Sequence, residues 1–399
     1  MRQLRLPFYL AWQYIKRGRR WTLLLTIVLM TVAFVNLIFV PSLFNGIIDG
    51  ANKQIINTMT GDIYITPTDG NDYINQRDQV LSKLDSIGGV ESASAKVLVP
   101  GRLKYKNIGG SWQILAINPD NDKKVSIISQ KIISGSYLDV NDNDQILIGI
   151  QIAGGKDVEE NERSFKGAKV GEKVTLVFDG KPKEFNIKGI FDSNFVDSDN
   201  RAFITENALR DIMPSVVDKA TTISIKTDQT VDDKKVIEII KQENIEGKGY
   251  SWQEATGLME SVSSSFLSIN VLLSFTSVLI AAVTIVIIIY ITIINKRKDI
   301  GILRAIGIKP YIIVSSYVIL SAVYSFIGVV IGTILFLTVL MPYFQANPFV
   351  LPICNAVLVL NWPDYIVRAE SIIWISVFAG FVPAVIVTRA RMLTAILGK

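Results

Sequence analysis

The sequence predicts an α-helical membrane protein with four transmembrane helices and a large extracytoplasmic α+β domain. Three observations carry that prediction. Four apolar runs without charge are long enough to cross a bilayer. Basic residues collect at those ends of the runs that belong on one side of the membrane. Between the first and second runs lie roughly 200 residues that mix strand and helix patterns, ample for a domain with its own core.

Residues 1–20 read as an amphipathic elbow helix lying in the cytoplasmic interface. Phe8, Trp12 and Ile15 fall at i, i+4 and i+7, and Pro7 suits a first helical position. Residues 21–45 follow as the first transmembrane helix, preceded by Arg19 and Arg20. Basic residues before an apolar run also mark secretory signals, but this run exceeds an h-region and no A-x-A-like site follows it. A retained anchor is therefore expected. The helical pattern continues beyond the lipid in FNGIIDGANKQIINTM, where Ile47, Ile48, Ile55 and Ile56 keep a compatible spacing, so the first of two stalks is expected here.

Residues 46–250 form the expected outer domain. Asp62–Thr66, Lys173–Phe178 and Glu184–Phe191 are β-rich, and Asp179 with Gly180 makes a D-G hairpin turn between the last two. Helices are expected over Gln76–Ser86, over Thr205–Met213 with Thr205 as its cap, and over Val231–Glu243. Two acidic strings, Asp139, Asp142, Asp144 and Asp192, Asp197, Asp199, lack the EF-hand spacing with its central glycine and terminal glutamate. They read as Asx-rich turns between strands.

Residues 251–295 combine the second stalk and the second transmembrane helix. Ser251 and Glu254 fit a capping box, and no proline interrupts the 43 residues from Trp252 to Ile294. Such a helix spans roughly 65 Å at 1.5 Å per residue, about twice the ~30 Å hydrocarbon core. Residues 296–310 return to the basic side as KRKDIGILRAIGIKP. If Asp299–Ile308 is helical, Ile300, Leu303 and Ile306 or Gly307 share a face that Gly301 and Ala305 keep shallow, with Lys298 and Arg304 flanking it. A short helix of this kind fits a groove on a partner. The third transmembrane helix, 311–341, contains Gly328 and Gly332 as G-x-x-x-G, a spacing that lets a second helix approach. A short outer loop, 342–370, leads to the fourth transmembrane helix, 371–388, which carries Gly380, Pro383 and an interfacial Trp374, and then to a cytoplasmic tail, 389–399.

Charge sets the orientation. The amino terminus, the loop after the second run and the tail sum to +13, while the two intervening segments sum to −8. The positive segments belong in the cytoplasm, with both termini, and the large domain outside. The basic pI is then a signal of topology, and no nucleic-acid partner is implied. Chemistry is restricted as well. The chain has no histidine and a single cysteine, Cys354, which excludes Ser-His-Asp and Cys-His nucleophiles, zinc sites built on those residues and an intramolecular disulfide. It has no G-x-x-x-x-G-K-[ST] with which to cradle a nucleotide.

The order of anchor, outer domain and three further spans, together with KRKDIGILRAIGIKP after the second span, resembles the permease subunits of the MacB and lipoprotein-releasing Lol-type ABC transporters, which are related to FtsX. FYLAWQYIKRGRRWTLLLT, DGANKQIINTMTGDIYITP and VGEKVTLVFDGKPKEFNIKGIFD extend the likeness over nearly the whole chain. The resemblance implies that the outer domain is a MacB-type periplasmic core domain. It implies that Lys298, Asp299, Ile300, Gly301, Leu303, Arg304, Ala305 and Gly307 form a coupling helix against an ATPase. No cofactor is expected on this chain; ATP and magnesium belong to a partner ABC ATPase present in two copies, and a second permease completes a homodimer or heterodimer. The implied activity, in the cytoplasmic membrane, is extraction or export of an amphiphile, a lipoprotein or lipid, by ATP-driven motion passed through the stalks. Family alternatives are FtsX-like regulation of an extracytoplasmic hydrolase and export of drugs or peptides. A membrane-tethered carboxylate hydrolase or a displayed receptor needs only one anchor, so three further spans count against both.

Overall fold

The computed structural model describes residues 2–17, 20–155, 164–228, 231–255, 257–351 and 354–389. They form two compact units. Met1–Asp49, Ser265–Phe349 and Ala356–Lys399 make up the first, and Gly50–Ser264 with Val350–Asn355 the second.

The helical unit is built from α1 (Arg2–Arg17), α2 (Arg20–Ile55), α3 (Gly257–Asn295), α4 (Arg297–Ala305), α5 (Pro310–Leu335) and α6 (Trp362–Arg389). Four helical stretches are long and apolar enough to cross a membrane: Arg20–Thr60, Val271–Asn295, Pro310–Ala346 and Trp362–Thr388. Inward positions form one core, with Phe34 and Leu37 on α2, Ile285 and Ile289 on α3, Ile313 and Tyr317 on α5, and Ile372 and Ala379 on α6. The opposite faces expose Leu25, Phe275, Phe326 and Phe378, apolar residues of the kind that suit a hydrocarbon surrounding. On α1, Phe8 and Trp12 are exposed while Ala11 is buried, so the helix is amphipathic in the expected sense.

The stretch predicted as an outer loop is more ordered than that. A helix over Met341–Ala346 and a hairpin of Phe349–Leu351 with Cys354–Ala356 occupy part of it, and α6 begins at Trp362, nine residues before the predicted start. The apolar count missed those two and a half turns because Asp364, Arg368 and Glu370 interrupt it. The expected capping box is half visible: Ser251 N–H donates to Glu254 Oε2 at 3.3 Å. Helix follows over Trp252–Ala255 and again from Gly257, and Thr256 lies outside the described residues.

The second unit is dominated by one mixed sheet of twelve strands. In chain order these are β1 (Ile63–Thr66), β2 (Val90–Val99), β3 (Arg102–Tyr105), β4 (Ile108–Gly110), β5 (Gln113–Ile117), β6 (Ile132–Gly135), β7 (Gln145–Gly149), β8 (Lys173–Phe178), β9 (Lys181–Phe191), β10 (Arg201–Thr205), β11 (Thr222–Thr227) and β12 (Lys248–Ser251). They lie in the order β12-β1-β11-β2-β5-β10-β7-β9-β8-β3-β4, with β6 paired to β9. Two pairs are parallel, β10 with β5 and β9 with β7. The D-G turn joins β8 to β9, with Asp179 at φ 46° and Gly180 at φ 74°.

Three apolar clusters hold this sheet. Ile63, Ile65, Ile223 and Ile225 pack under helices Arg77–Asp85 and Asp233–Gln242. Ile114, Ile146, Ile148 and Ile204 share a second cluster with Phe165 and Leu209, while Leu115, Ile117, Leu147 and Phe203 form a third. Neighbours along β5, β7 and β10 thus enter different clusters, so these strands are covered on both faces. Both acidic strings make turns: Asp139 Oδ1 accepts from Asn141 N–H at 3.1 Å, and Asp192 Oδ1 from Asn194 N–H at 2.9 Å.

Candidate functional site

The site begins with how α4 is started and stopped. Lys296 precedes it, and its carbonyl accepts Ile300 N–H at 3.1 Å. At the far end Gly307 N–H donates to the Arg304 carbonyl at 3.0 Å and Ile308 N–H to the Leu303 carbonyl at 3.1 Å. With Gly307 at φ 91°, this is a Schellman stop. The space around Gly307 is open, so backbone conformation alone calls for glycine here. Pro310 then opens α5 from its first turn.

The two faces of α4 differ. Ile300 and Gly301 are buried, Ile300 in the core of the helical unit, and Leu303 is half-buried against the same core. Lys298, Ile302 and Ala305, at i, i+4 and i+7, are exposed, as are Asp299 and Ile306, and Arg304 is half-buried. Ile302 is 56% and Ile306 72% exposed. Of the face predicted to meet a partner, Ile300, Gly301 and Leu303 are therefore turned onto the protein's own helices, while Ala305, Ile306 and Gly307 are exposed. A nine-residue amphipathic helix beside an apolar bundle removes its richer side from water first. The sequence signal for the outward face was Ile302, a large apolar residue off the predicted stripe.

Beside this face lies a cleft of about 490 Å³ between Tyr9, Leu10, Gln13 and Tyr14 of α1 and Lys296, Asp299, Ile302 and Leu303. Lys296 Nζ lies 3.4 Å from Asp299 Oδ2 and 5.5 Å from the centre of the Tyr14 ring. The Tyr14 ring packs 5.2 Å from that of Tyr317, and burial pushes the Tyr14 phenol above its usual range. Tyr14 therefore stays uncharged and joins α1, α4 and α5 at one corner.

Two further contacts brace the bundle. A β-carbon added at Gly328 would lie 2.8 Å from Met30 Cβ, and one at Gly332 would lie 2.8 Å from Phe34 Cδ1, so the G-x-x-x-G face of α5 is where α2 crosses. Arg368, a residue that sequence reasoning left in a loop, sits on α6 and donates to Ser274 Oγ on α3 at 2.8 Å and to the Leu37 carbonyl on α2 at 3.5 Å. An arginine turned into a bundle finds its partners there because lipid offers none.

Residues 271–391 match the family described as FtsX-like permease C-terminal. This part of the chain is similar to that family's permease domain. The matched stretch takes in α4, α5 and α6 from end to end, together with the apolar part of α3. Two solved structures resemble the chain more distantly. One is the extracellular domain of the ABC-type transporter YknZ from Gram-positive bacteria, at 13% identity over 47% of this chain and 97% of that one, with a TM-score of 0.35. The other is the periplasmic region of MacB from Actinobacillus actinomycetemcomitans, at 14% identity over 51% of this chain and 95% of that one, with a TM-score of 0.38.

Proposed function

We propose that this chain is the permease subunit of an ABC transporter and that α4 is the helix through which a separate ATPase moves it. The carrying observation is the outward face of α4, where Ile302 and Ile306 stand exposed beside Lys298 and Ala305, immediately after an apolar span and inside the stretch similar to the FtsX-like permease domain. Two isoleucines that lipid does not claim favour a protein groove, and covering each contributes about 2 kcal/mol. The basic charge of the segments on this side, +13 in sum, supports a cytoplasmic position for this face, where ATP is available. ATP and magnesium are held by the ATPase, two copies of which serve a permease pair, either two of this chain or this chain with a relative. The sheet unit then works outside the membrane as a MacB-type core domain. Its task is to extract or export an amphiphile, a lipoprotein or lipid, by motion that α2 and α3 carry beyond the lipid.

The test is copurification. The double variant Ile302→Asp, Ile306→Asp should insert and fold normally, because neither side chain belongs to the core, yet it should lose the ATPase that mass spectrometry identifies with the parent chain. Undiminished recovery of that ATPase with the double variant overturns the assignment.

A further inference from the structure

In the sheet unit, a cleft of about 500 Å³ is lined by Met59, Ser111, Trp112, Gln113, Asp197, Asn200 and Arg201. Topology assembles it. Arg201 opens β10 and pairs in parallel register with Gln113, the first residue of β5, so the two side chains start from neighbouring positions at one end of the sheet. Met59 lies on the wide turn Ile56–Thr60 that ends α2, and its carbonyl is fixed by Lys96 Nζ at 3.3 Å and Ser224 Oγ at 3.2 Å. Trp112 is held edge-on to Phe165 at 5.0 Å.

Arg201 is the anomaly. It is half-buried, its Nε is enclosed without a hydrogen-bond partner, and it forms no ion pair among the described residues. Asp197, exposed at the rim, acts on it only through space. Taking a guanidinium out of water without a direct ion pair or hydrogen bond at its Nε is unfavourable. A structure retains such a group where an anion completes it, and the planar fork of arginine matches carboxylate and phosphate oxygens. Amide donors at Gln113 and Asn200 and a hydroxyl at Ser111 add neutral contacts, while the Trp112 ring and the Met59 thioether supply an apolar wall.

We propose that this cleft binds the anionic head of an amphiphile, a phosphate or carboxylate joined to an apolar chain, with Arg201 on the oxyanion and Trp112 and Met59 on the first carbons of the chain. The site names a ligand class for the transport reading above and rests on that reading only for its place in transport, since binding is measured without any ATPase. It also seats the ligand beside the turn that closes α2, where occupancy is felt by the end of a long helix.

The experiment is equilibrium binding of dodecyl phosphate to the full chain in neutral-lipid nanodiscs, with empty nanodiscs subtracted and inorganic phosphate as a second probe. Saturable binding of dodecyl phosphate is expected. Arg201→Gln should weaken it by about tenfold or more, the loss of one charged hydrogen-bonded contact. Asp197→Asn, a surface change that removes a competing negative charge, should tighten it. Neither variant should alter recovery of the ATPase, so failure here is distinguishable from failure of the α4 assignment. Affinity that ignores both substitutions overturns the site. Inorganic phosphate bound as tightly as dodecyl phosphate overturns the amphiphile and leaves a free-oxyanion site.

Discussion

Asp199 is held by its surroundings in a state that its residue type alone does not predict. It is 2% exposed, and its Oδ1 accepts the Ser193 N–H at 2.9 Å and the Ser193 hydroxyl at 2.7 Å. Burial outweighs those bonds and pushes the carboxyl up to about 6. Because the folded value lies above the unfolded one, the native state keeps a proton that the unfolded chain releases between about pH 4 and 6. The stabilising effect is complete below the unfolded value and is lost as pH rises through about 6, roughly 3 kcal/mol in all. Asp199→Asn keeps the acceptor and removes the titration, so its melting temperature should exceed that of the parent at pH 8 and match it at pH 4. Equal melting temperatures at pH 8 would reject this account. The Asx-rich turn around Asp199 was legible in the sequence, since Asx turns are local. Its burial was not, because the strands that cover it come from elsewhere in the chain.

At the scale of elements, glycine decides how closely the helices approach. Gly380, in the last span, is where α6 meets α5, for an added β-carbon would lie 3.0 Å from Ser321 Cβ. Gly332 does the same for α5 and α2, with Phe34 fully buried against it. Gly332→Leu cannot be seated without moving Phe34 or the whole of α2, and overpacking of this kind costs about 1–3 kcal/mol. Thermal denaturation in nanodiscs should show the loss. Phe34→Ala added to Gly332→Leu should recover part of it by opening the space, and a double variant no better than the single one would show that the contact is not what limits stability. G-x-x-x-G announced a close helix contact. Only the packed bundle identifies α2 as the partner, since small residues specify approach without specifying to what.

For the molecule as a whole, the length of α3 matters most. Its 39 residues extend about 58 Å, about twice the ~30 Å hydrocarbon core. A helix carries a push along its axis while its hydrogen bonds persist. Ser263→Pro removes one of them and clashes with the preceding turn, at about 3 kcal/mol or more. On the transport reading proposed above, docking of the separate ATPase and folding of the sheet unit use other residues and should survive. In vesicles reconstituted with that ATPase, ATP hydrolysis should then persist while release of an amphiphile fails; normal release would reduce α3 to a tether.

The sequence by itself determined what depends on local or one-dimensional information: four spans from apolar length, the amphipathic α1, the D-G hairpin between β8 and β9, the existence of α4 between two spans, and the helices at Arg77–Asp85, Glu206–Ile212 and Asp233–Gln242 within a residue or two of their bounds. Each of these follows from composition, period or turn chemistry in a single window of the chain. Tertiary structure decided the rest. Gln113–Ile117, Gln145–Gly149 and Arg201–Thr205 are covered on both faces, so they lack the alternation that betrays a half-buried strand, and they were missed. Which side of α4 faces outward depended on the bundle beside it. Arg368 and Arg201 look alike in sequence, each a single basic residue near an aspartate, and only packing separates them: one donates to two neighbouring helices, the other is enclosed in a cleft without a direct ion pair, because burial and partnership belong to contacts between distant parts of the chain.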